Sequence, residues 1–326
     1  MGFSSTNYRK VREVFEEKRN AAEAKAAAER NALHAKYPEL AVIDKQLSDT
    51  ALDIFAAAME PDADVEAKVA EIREKNAFLL DRRRAIMEDN GIPETDGEPK
   101  YDCPICSDRG YTGSKMCDCL RRALIDETFR TSGIGELIKT QSFETFSTEY
   151  YKDDRAALEA AELSLVLCRQ FADGFSAGSG ENILMIGATG LGKTHLSTSV
   201  AKAVIERGFD VVYETAQNIF RDFEKQQFGK RDPEAEDLTS KYFDCDLLII
   251  DDLGTELKSS FTVSCLYNMI NTRLNRKASM IVNTNLTQKE LRERYEDRIT
   301  SRLFGEFSTL LLKGKDIRSR KLFGRG

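Results

Sequence analysis

Apolar residues follow two different rhythms along this chain. From residue 7 to about 90 they recur at helical spacing in a background rich in Ala, Glu, Lys and Arg. Leu40, Ile43 and Leu47 share one face, and Val65, Val69, Ile72, Leu79 and Ile86 form a heptad-like stripe. With Pro38 and Pro61 as breaks, the pattern predicts three helices. Such stripes serve an internal packing seam or a partner surface, and periodicity does not separate the two. Beyond residue 180 short continuous apolar runs take over: Ile183-Leu184-Met185-Ile186, Val211-Val212-Tyr213, Leu247-Leu248-Ile249-Ile250 and Met280-Ile281-Val282. Helix-like segments at 195–206 and 216–225 stand between them. Runs of this length alternating with helices predict an α/β domain whose parallel strands are buried on both faces.

Between the two regions, Gly91-Ile92-Pro93 through Gly97-Glu98-Pro99 reads as a linker, dense in breakers and acids. The predicted organisation is a helical partner-docking region at 1–95, a cysteine module at 100–125, a helical connection at 126–178 and an α/β domain at 179–326. Phe143 and Phe146 fall in the connection, as packing residues or as part of the wall of a ligand pocket.

The 326 residues carry a formal net charge of −7, so the chain lacks the overall basic field of an autonomous duplex-DNA binder. The sign is uneven. From Lys258 onward there are 15 Lys/Arg against 6 Asp/Glu, a solvated basic surface or one that faces a polyanion. No stretch approaches the roughly 18 apolar residues of a membrane span and no signal-peptide core is present, so a soluble, cytoplasmic protein with no membrane partner is expected.

The most specific signal follows the first apolar run. Gly187-Ala188-Thr189-Gly190-Leu191-Gly192-Lys193-Thr194 satisfies G-x-x-x-x-G-K-[ST]. The chemistry needs a tight loop whose backbone N–H groups face phosphate oxygens, with a helix N-terminus behind it. Lys193 then reaches the β- and γ-phosphates and Thr194 holds Mg²⁺. His195 follows directly and is counted with the nucleotide-binding set, although by pattern it is simply a helix residue. The run 247–250 ends in Asp251-Asp252, where a carboxylate reaches a metal at the C-terminal end of a strand; Asp251 is the Mg²⁺-side candidate. Asp252 and Glu256 are alternatives for orienting the attacking water. The run 280–282 enters Asn283-Thr284-Asn285, whose amide could touch the γ-phosphate or the lytic water. In Asp297-Arg298-Ile299-Thr300-Ser301-Arg302 two arginines share one helical face, for surface ion pairing with Glu296 or Glu306 or for an arginine finger delivered to a neighbouring copy.

Four of the seven cysteines fall together: Cys103-x-x-Cys106 and, ten residues on, Cys117-x-Cys119. A C-x-x-C turn converges two thiolates on one ion, and Gly110 and Gly113 allow a hairpin to return the second pair, so a structural Cys₄ zinc site is expected. Disulfides are the competing account, disfavoured in a reducing compartment. Cys168, Cys245 and Cys265 sit among apolar neighbours as small core residues.

The ordered set GATGLGKT, LLIIDDLGTE, VNTNL and DRITSRL, over residues 180–320, resembles the AAA+ ATPases of the DnaC/DnaI/IstB group, and the layout before it is similar to helicase loaders of that group. The resemblance implies a P-loop NTPase fold of the AAA+, ASCE-type parallel sheet, with ATP and Mg²⁺ as ligands. It implies Lys193 and Thr194 as Walker A, Asp251 and Asp252 as Walker B, Asn285 as sensor 1 and Arg302 as the finger, with Arg298 competing. Arg318 takes the sensor-2 position. The implied function is loading of a hexameric replicative helicase, docked through the amino-terminal region, onto single-stranded DNA, with self-association through the ATPase domain. Asp-Asp in Walker B implies slow, switch-like hydrolysis. Two alternatives stand beside it: an IstB-type transposition ATPase that assembles on DNA and recruits a transposase, and a nucleotide-gated adaptor with vestigial hydrolysis.

Overall fold

The computed structural model describes residues 3–59, 65–135, 137–229 and 237–317. They form two compact units, one of residues 12–119 and one of residues 1–11 with 120–326. Arg318 lies outside the described residues.

The first unit is helical. Helices α1 (Ser5–Lys36), α2 (Pro38–Met59) and α3 (Val65–Asp89) match the three predicted, and Pro38 opens α2, where its missing N–H costs nothing. Of the predicted stripes Leu40, Ile43 and Leu79 are buried and Leu47, Ile72 and Ile86 half-buried, with Met87 buried beside them; the side chains of Val65 and Val69 lie outside those described. The Asp44 carboxylate joins all three helices, accepting from Arg83 Nε at 2.8 Å and lying 2.8 Å from His34 Nε2. A small hairpin of β1 (Tyr111–Thr112) and β2 (Lys115–Met116) carries the chain between the two cysteine pairs, turning at Gly113.

In the second unit, α4 (Asp118–Thr131), α5 (Leu137–Thr140), a 3₁₀ turn (Thr148–Tyr151) and α6 (Arg155–Gly174) lead to the sheet. Strand β3 (Asn182–Ile186) is followed by α7 (Lys193–Glu206), β4 (Val211–Thr215), α8 (Ala216–Phe228), α9 (Ser240–Asp244) and β5 (Leu247–Leu253). Then come α10 (Ser260–Asn275), β6 (Ser279–Thr284), α11 (Gln288–Arg294), α12 (Asp297–Gly305) and β7 (Ser308–Leu311). The five strands are parallel in the order β4-β5-β6-β3-β7. The four apolar runs became strands. Strand β7, not among the predicted strands, opens on Ser308-Thr309 and only its Leu310 is buried, its apolar run Leu310-Leu311-Leu312 extending past the strand end.

Successive side chains on a strand point to opposite faces, and the core divides accordingly. Ile183, Met185, Ile249 and Ile281 pack with α6 and α7, whereas Leu184, Ile186, Leu248, Ile250, Met280 and Val282 pack with α8, α10 and α12. The edge of β4 is covered: Tyr213 N–H donates to Ser132 O at 2.7 Å, and the chain passes so close that a Cβ on Gly133 would stand 2.2 Å from Tyr213 O. Gly133 also lies at φ +83°, a region that L side chains rarely adopt. Among the described residues no helix is long and apolar enough to cross a membrane.

Gly133→Ala is therefore expected to cost on the order of 2 kcal/mol of stability, from backbone strain and the forced retreat of β4's cover. Urea unfolding of the whole chain checks this, and a midpoint equal to that of the parent would refute it.

Candidate nucleotide site and cysteine cluster

All five strands of the sheet present their C-terminal ends on the same side, and the connections leaving the neighbours β3 and β6 run in opposite directions, to β4 at one edge and β7 at the other. A crevice at such a reversal is the usual ligand site of an open parallel sheet. A cavity of about 370 Å³ lies here, walled by residues 189–195, Asp252, Asn285 and Ile317 on one part and by Gln141, Thr145, Phe146, Ser147 and Tyr150 on the other.

The loop from Gly187 to Gly192 leaves β3 and runs into α7. Gly192 stands at φ +84°, and a Cβ there would meet Phe146 Cε2 at 2.8 Å, so glycine is required both by conformation and by the ring above it. Leu191 is buried, and its carbonyl accepts from Tyr151 OH at 2.9 Å. Lys193 is buried at the start of α7. Its ammonium donates to Ala188 O at 2.9 Å and to Asn285 Oδ1 at 2.5 Å, which aims it across the inside of the loop. His195 Nε2 lies 2.9 Å from Ser142 O and 3.1 Å from Thr145 Oγ1, and its ring meets Phe146 edge-on with centroids 5.3 Å apart. It is thus a cavity-wall residue as well as a helix residue. Of the two phenylalanines, Phe146 lines the cavity; Phe143 is core, with the Arg169 guanidinium over its ring.

Asp251 is buried and engaged through both oxygens. Oδ2 accepts from Thr194 Oγ1 at 3.2 Å and Tyr213 OH at 2.7 Å; Oδ1 accepts from Asn283 Nδ2 at 2.9 Å and the Asp252 N–H at 3.1 Å. Burial, and then the facing carboxylate, push the Tyr213 phenol well above its ordinary value. Thr194 and Asp251 thus offer adjacent oxygens at the mouth of the loop, a donor set that suits Mg²⁺. Strand β5 continues past the predicted run to Leu253, with an irregularity in its pairing to β6 between Ile250 and Leu253. Within it Asp252 lies at φ +53°, a conformation uncommon for a residue with a side chain. The kink puts Asp252 on the cavity wall, where Asn285 Nδ2 approaches its carboxylate at 3.4 Å.

Glu256, the alternative to Asp252, is held elsewhere. Its carboxylate accepts from Gly254 N–H at 2.8 Å, Tyr295 OH at 2.5 Å and Arg294 at 3.2 Å, and it does not line the cavity. Nor are Arg298 and Arg302 brought to the cavity of their own chain. Both guanidiniums lie over the Tyr267 ring, at 4.6 and 4.8 Å from its centroid, and Arg302 is further tied to Asn271 Oδ1 at 2.8 Å.

Sequence reasoning gave two of these groups no role beside Asp251. Asn283 interrupts an apolar strand, a polar residue that is fully buried, and that interruption was its signal. Tyr213 reads as an ordinary strand aromatic, and its part depends on β4 lying beside β5.

The sulfurs of Cys103, Cys106, Cys117 and Cys119 all lie within 4.8 Å of one another, with Cys103–Cys117 at 3.9 Å and Cys106–Cys119 at 3.4 Å. Four thiolates around zinc at about 2.3 Å have edges of roughly 3.8 Å, so the cluster has the dimensions of a tetrahedral site. Asp108 shapes the first turn, accepting from Cys103 N–H at 2.8 Å and Asp102 N–H at 2.9 Å. The backbone N–H of Cys106 draws the Cys103 thiol down to about 7, while burial pushes Cys119 up. Cys168 and Cys245 are buried and Cys265 half-buried, as small apolar residues.

Comparison with known proteins finds an ATP-binding family over the segment that holds the phosphate loop. The family of IstB-like ATP binding proteins matches residues 170–319. The replicative helicase loader DnaC of Escherichia coli K12 is 27% identical over 197 residues, 59% of this chain and 76% of that protein. A protein of Sinorhizobium fredii, inferred to be an insertion-sequence ATP-binding protein, is 34% identical over 102 residues, 31% of this chain and only 33% of its own length. A crystal structure of the DnaC helicase loader has a TM-score of 0.47 at 21% identity, covering 55% of this chain and 99% of that one. With a phosphate loop, a strand-end acid pair and the matched ATP-binding family in one segment, residues 170–319 are an IstB-like AAA+ ATP-binding domain, similar to domains of replication and transposition proteins.

Proposed function

We propose that this chain binds ATP and Mg²⁺ in the crevice at β3 and uses slow hydrolysis to switch a helicase loader that places a hexameric replicative helicase on single-stranded DNA. The observation that carries the loader reading is the extent of the likeness to DnaC, which runs through 76% of that protein's length. Helicase and single-stranded DNA are accordingly the partners, with residues 1–95 as the docking region and a cytoplasmic location. A transposition ATPase that assembles on DNA is the second reading, favoured by the IstB-like family match over residues 170–319.

In this reading the loop N–H groups and Lys193 hold the phosphates, and Thr194 and Asp251 would hold Mg²⁺, which would supply positive charge against the phosphates. Asp252, on the cavity wall, orients the attacking water, and Asn285 steadies Lys193 against the γ-phosphate. Phe146 and His195 flank the base. Arg302 cannot serve its own cavity, so it acts on that of a neighbouring copy, pre-set by Asn271 and Tyr267, with Arg298 beside it. Arg318 keeps its proposed sensor-2 role. The four cysteines hold a structural zinc, which cross-links a module too small to bury a core of its own.

Lys193→Ala is expected to weaken nucleotide binding by on the order of a hundredfold. Arg302→Ala should leave binding unchanged and lower turnover about a thousandfold. Mixing the two variants should restore part of the turnover, since each supplies what the other lacks; no recovery would rule out action between copies. Elemental analysis of freshly purified protein should find one zinc per chain, lost in Cys106→Ser together with thermal stability of the helical unit, and a metal-free, fully folded parent would remove zinc from the account. Light scattering of the chain mixed with its source's replicative helicase should detect a co-complex that needs residues 1–95. No complex in either nucleotide state, together with ATP-dependent filaments on DNA, would favour the transposition reading.

A further inference from the structure

Asp251 lies within a closed ring of hydrogen bonds drawn from three adjacent strands and one helix. Tyr213 on β4 reaches Asp251 Oδ2 at 2.7 Å, and Asn283 on β6 reaches Oδ1 at 2.9 Å. Ser197 on α7 closes the ring, 3.2 Å from Tyr213 OH and accepting from Asn283 Nδ2 at 2.8 Å. Tyr213 is 4% exposed and Asn283 fully buried. The orientation of the Asn283 amide follows from chemistry: a carboxylate only accepts, so the NH₂ must face it. That leaves Asn283 Oδ1 buried without a hydrogen-bond partner, an unfavourable place for an acceptor that an apolar strand residue would avoid. Neither Tyr213 nor Asn283 lines the cavity, so neither touches nucleotide.

We propose that Tyr213 and Asn283 are positioning residues that lock the Asp251 carboxylate toward Thr194, and that they thereby set how much Mg²⁺ the nucleotide site requires. The proposal rests on the ATP–Mg²⁺ reading above. With both oxygens anchored from the sheet side, the carboxylate has one rotamer and one direction in which to offer its charge. Losing either anchor lets it swing and pair with Thr194 less often. Phosphate binding by the loop and Lys193 is untouched, because those contacts come from other atoms. The effect is therefore confined to the metal-dependent part of binding.

The test is a titration of MgCl₂ against binding of a fluorescent ATP analogue, with a parallel measurement in EDTA, for the parent chain, Tyr213→Phe and Asn283→Leu. In EDTA the three affinities should agree within about twofold. The Mg²⁺ concentration for half-maximal enhancement should rise about tenfold in each variant, the usual consequence of removing one hydrogen bond to a charged group. A merely structural role would lower the melting temperature and leave the Mg²⁺ midpoint where it was. Folded variants with the parent's midpoint overturn the proposal. Tyr213→Phe keeps the ring in the core and decides the matter alone if Asn283→Leu does not fold. A parent chain whose affinity ignores Mg²⁺ overturns the ATP–Mg²⁺ reading and this proposal with it; a Mg²⁺-dependent parent matched by its variants overturns this proposal alone.

Discussion

Five parallel strands impose a common direction, and the chemistry of this protein hangs on that constraint. Because every strand ends on the same side, the loop after β3, the acids at the end of β5 and the amides at the end of β6 meet in one crevice despite lying up to about 98 residues apart in sequence. The crevice opens beside β3, since the chain leaves β3 toward β4 at one edge and leaves its neighbour β6 toward β7 at the other. A sheet of mixed direction would send Asp251 and Asn285 to opposite ends.

The same sheet must keep charged groups in a largely dry interior. Lys193 and Asp251 are both buried, and each has hydrogen-bond partners for its charge. Burying such groups is tolerable only when they are paired and hydrogen-bonded. Here the pairing also gives direction: the ammonium crosses the loop, and the carboxylate faces Thr194. Packing around them is apolar on both sheet faces, so the polar cluster has few alternative arrangements. The helical unit solves a different problem. Its cysteine hairpin has almost no apolar content to bury, and four sulfurs gathered within 4.8 Å stand where a core would otherwise be needed.

Much of the site was legible in the linear chain because its signals are local. The phosphate loop is eight consecutive residues, the acid pair ends an apolar run, and the cysteines occupy seventeen positions, so each can be read without knowing what lies across from it. The three amino-terminal helices and four of the five strands follow from apolar spacing for the same reason. Strand β7 was not read, although it leads into the run Leu310-Leu311-Leu312; it opens on Ser308-Thr309 and lies at the sheet edge, where the apolar run is offset from the strand.

Other assignments depended on which segments became neighbours. The choice of Asp252 over Glu256 for the cavity wall came from a kink in β5 and from Arg294 and Tyr295 capturing Glu256. Phe146 rather than Phe143 lines the cavity because only its ring lies over Gly192. Tyr213 and Asn283 meet Asp251 because β4 and β6 flank β5, and the Arg302 clamp exists because α10 lies beside α12. Sequence alone determined the chemistry carried by short contiguous motifs, where covalent spacing already brings the groups together. Tertiary structure decided everything that needs strand order, register or a hydrogen bond between distant segments, because those distances exist only once the sheet has closed.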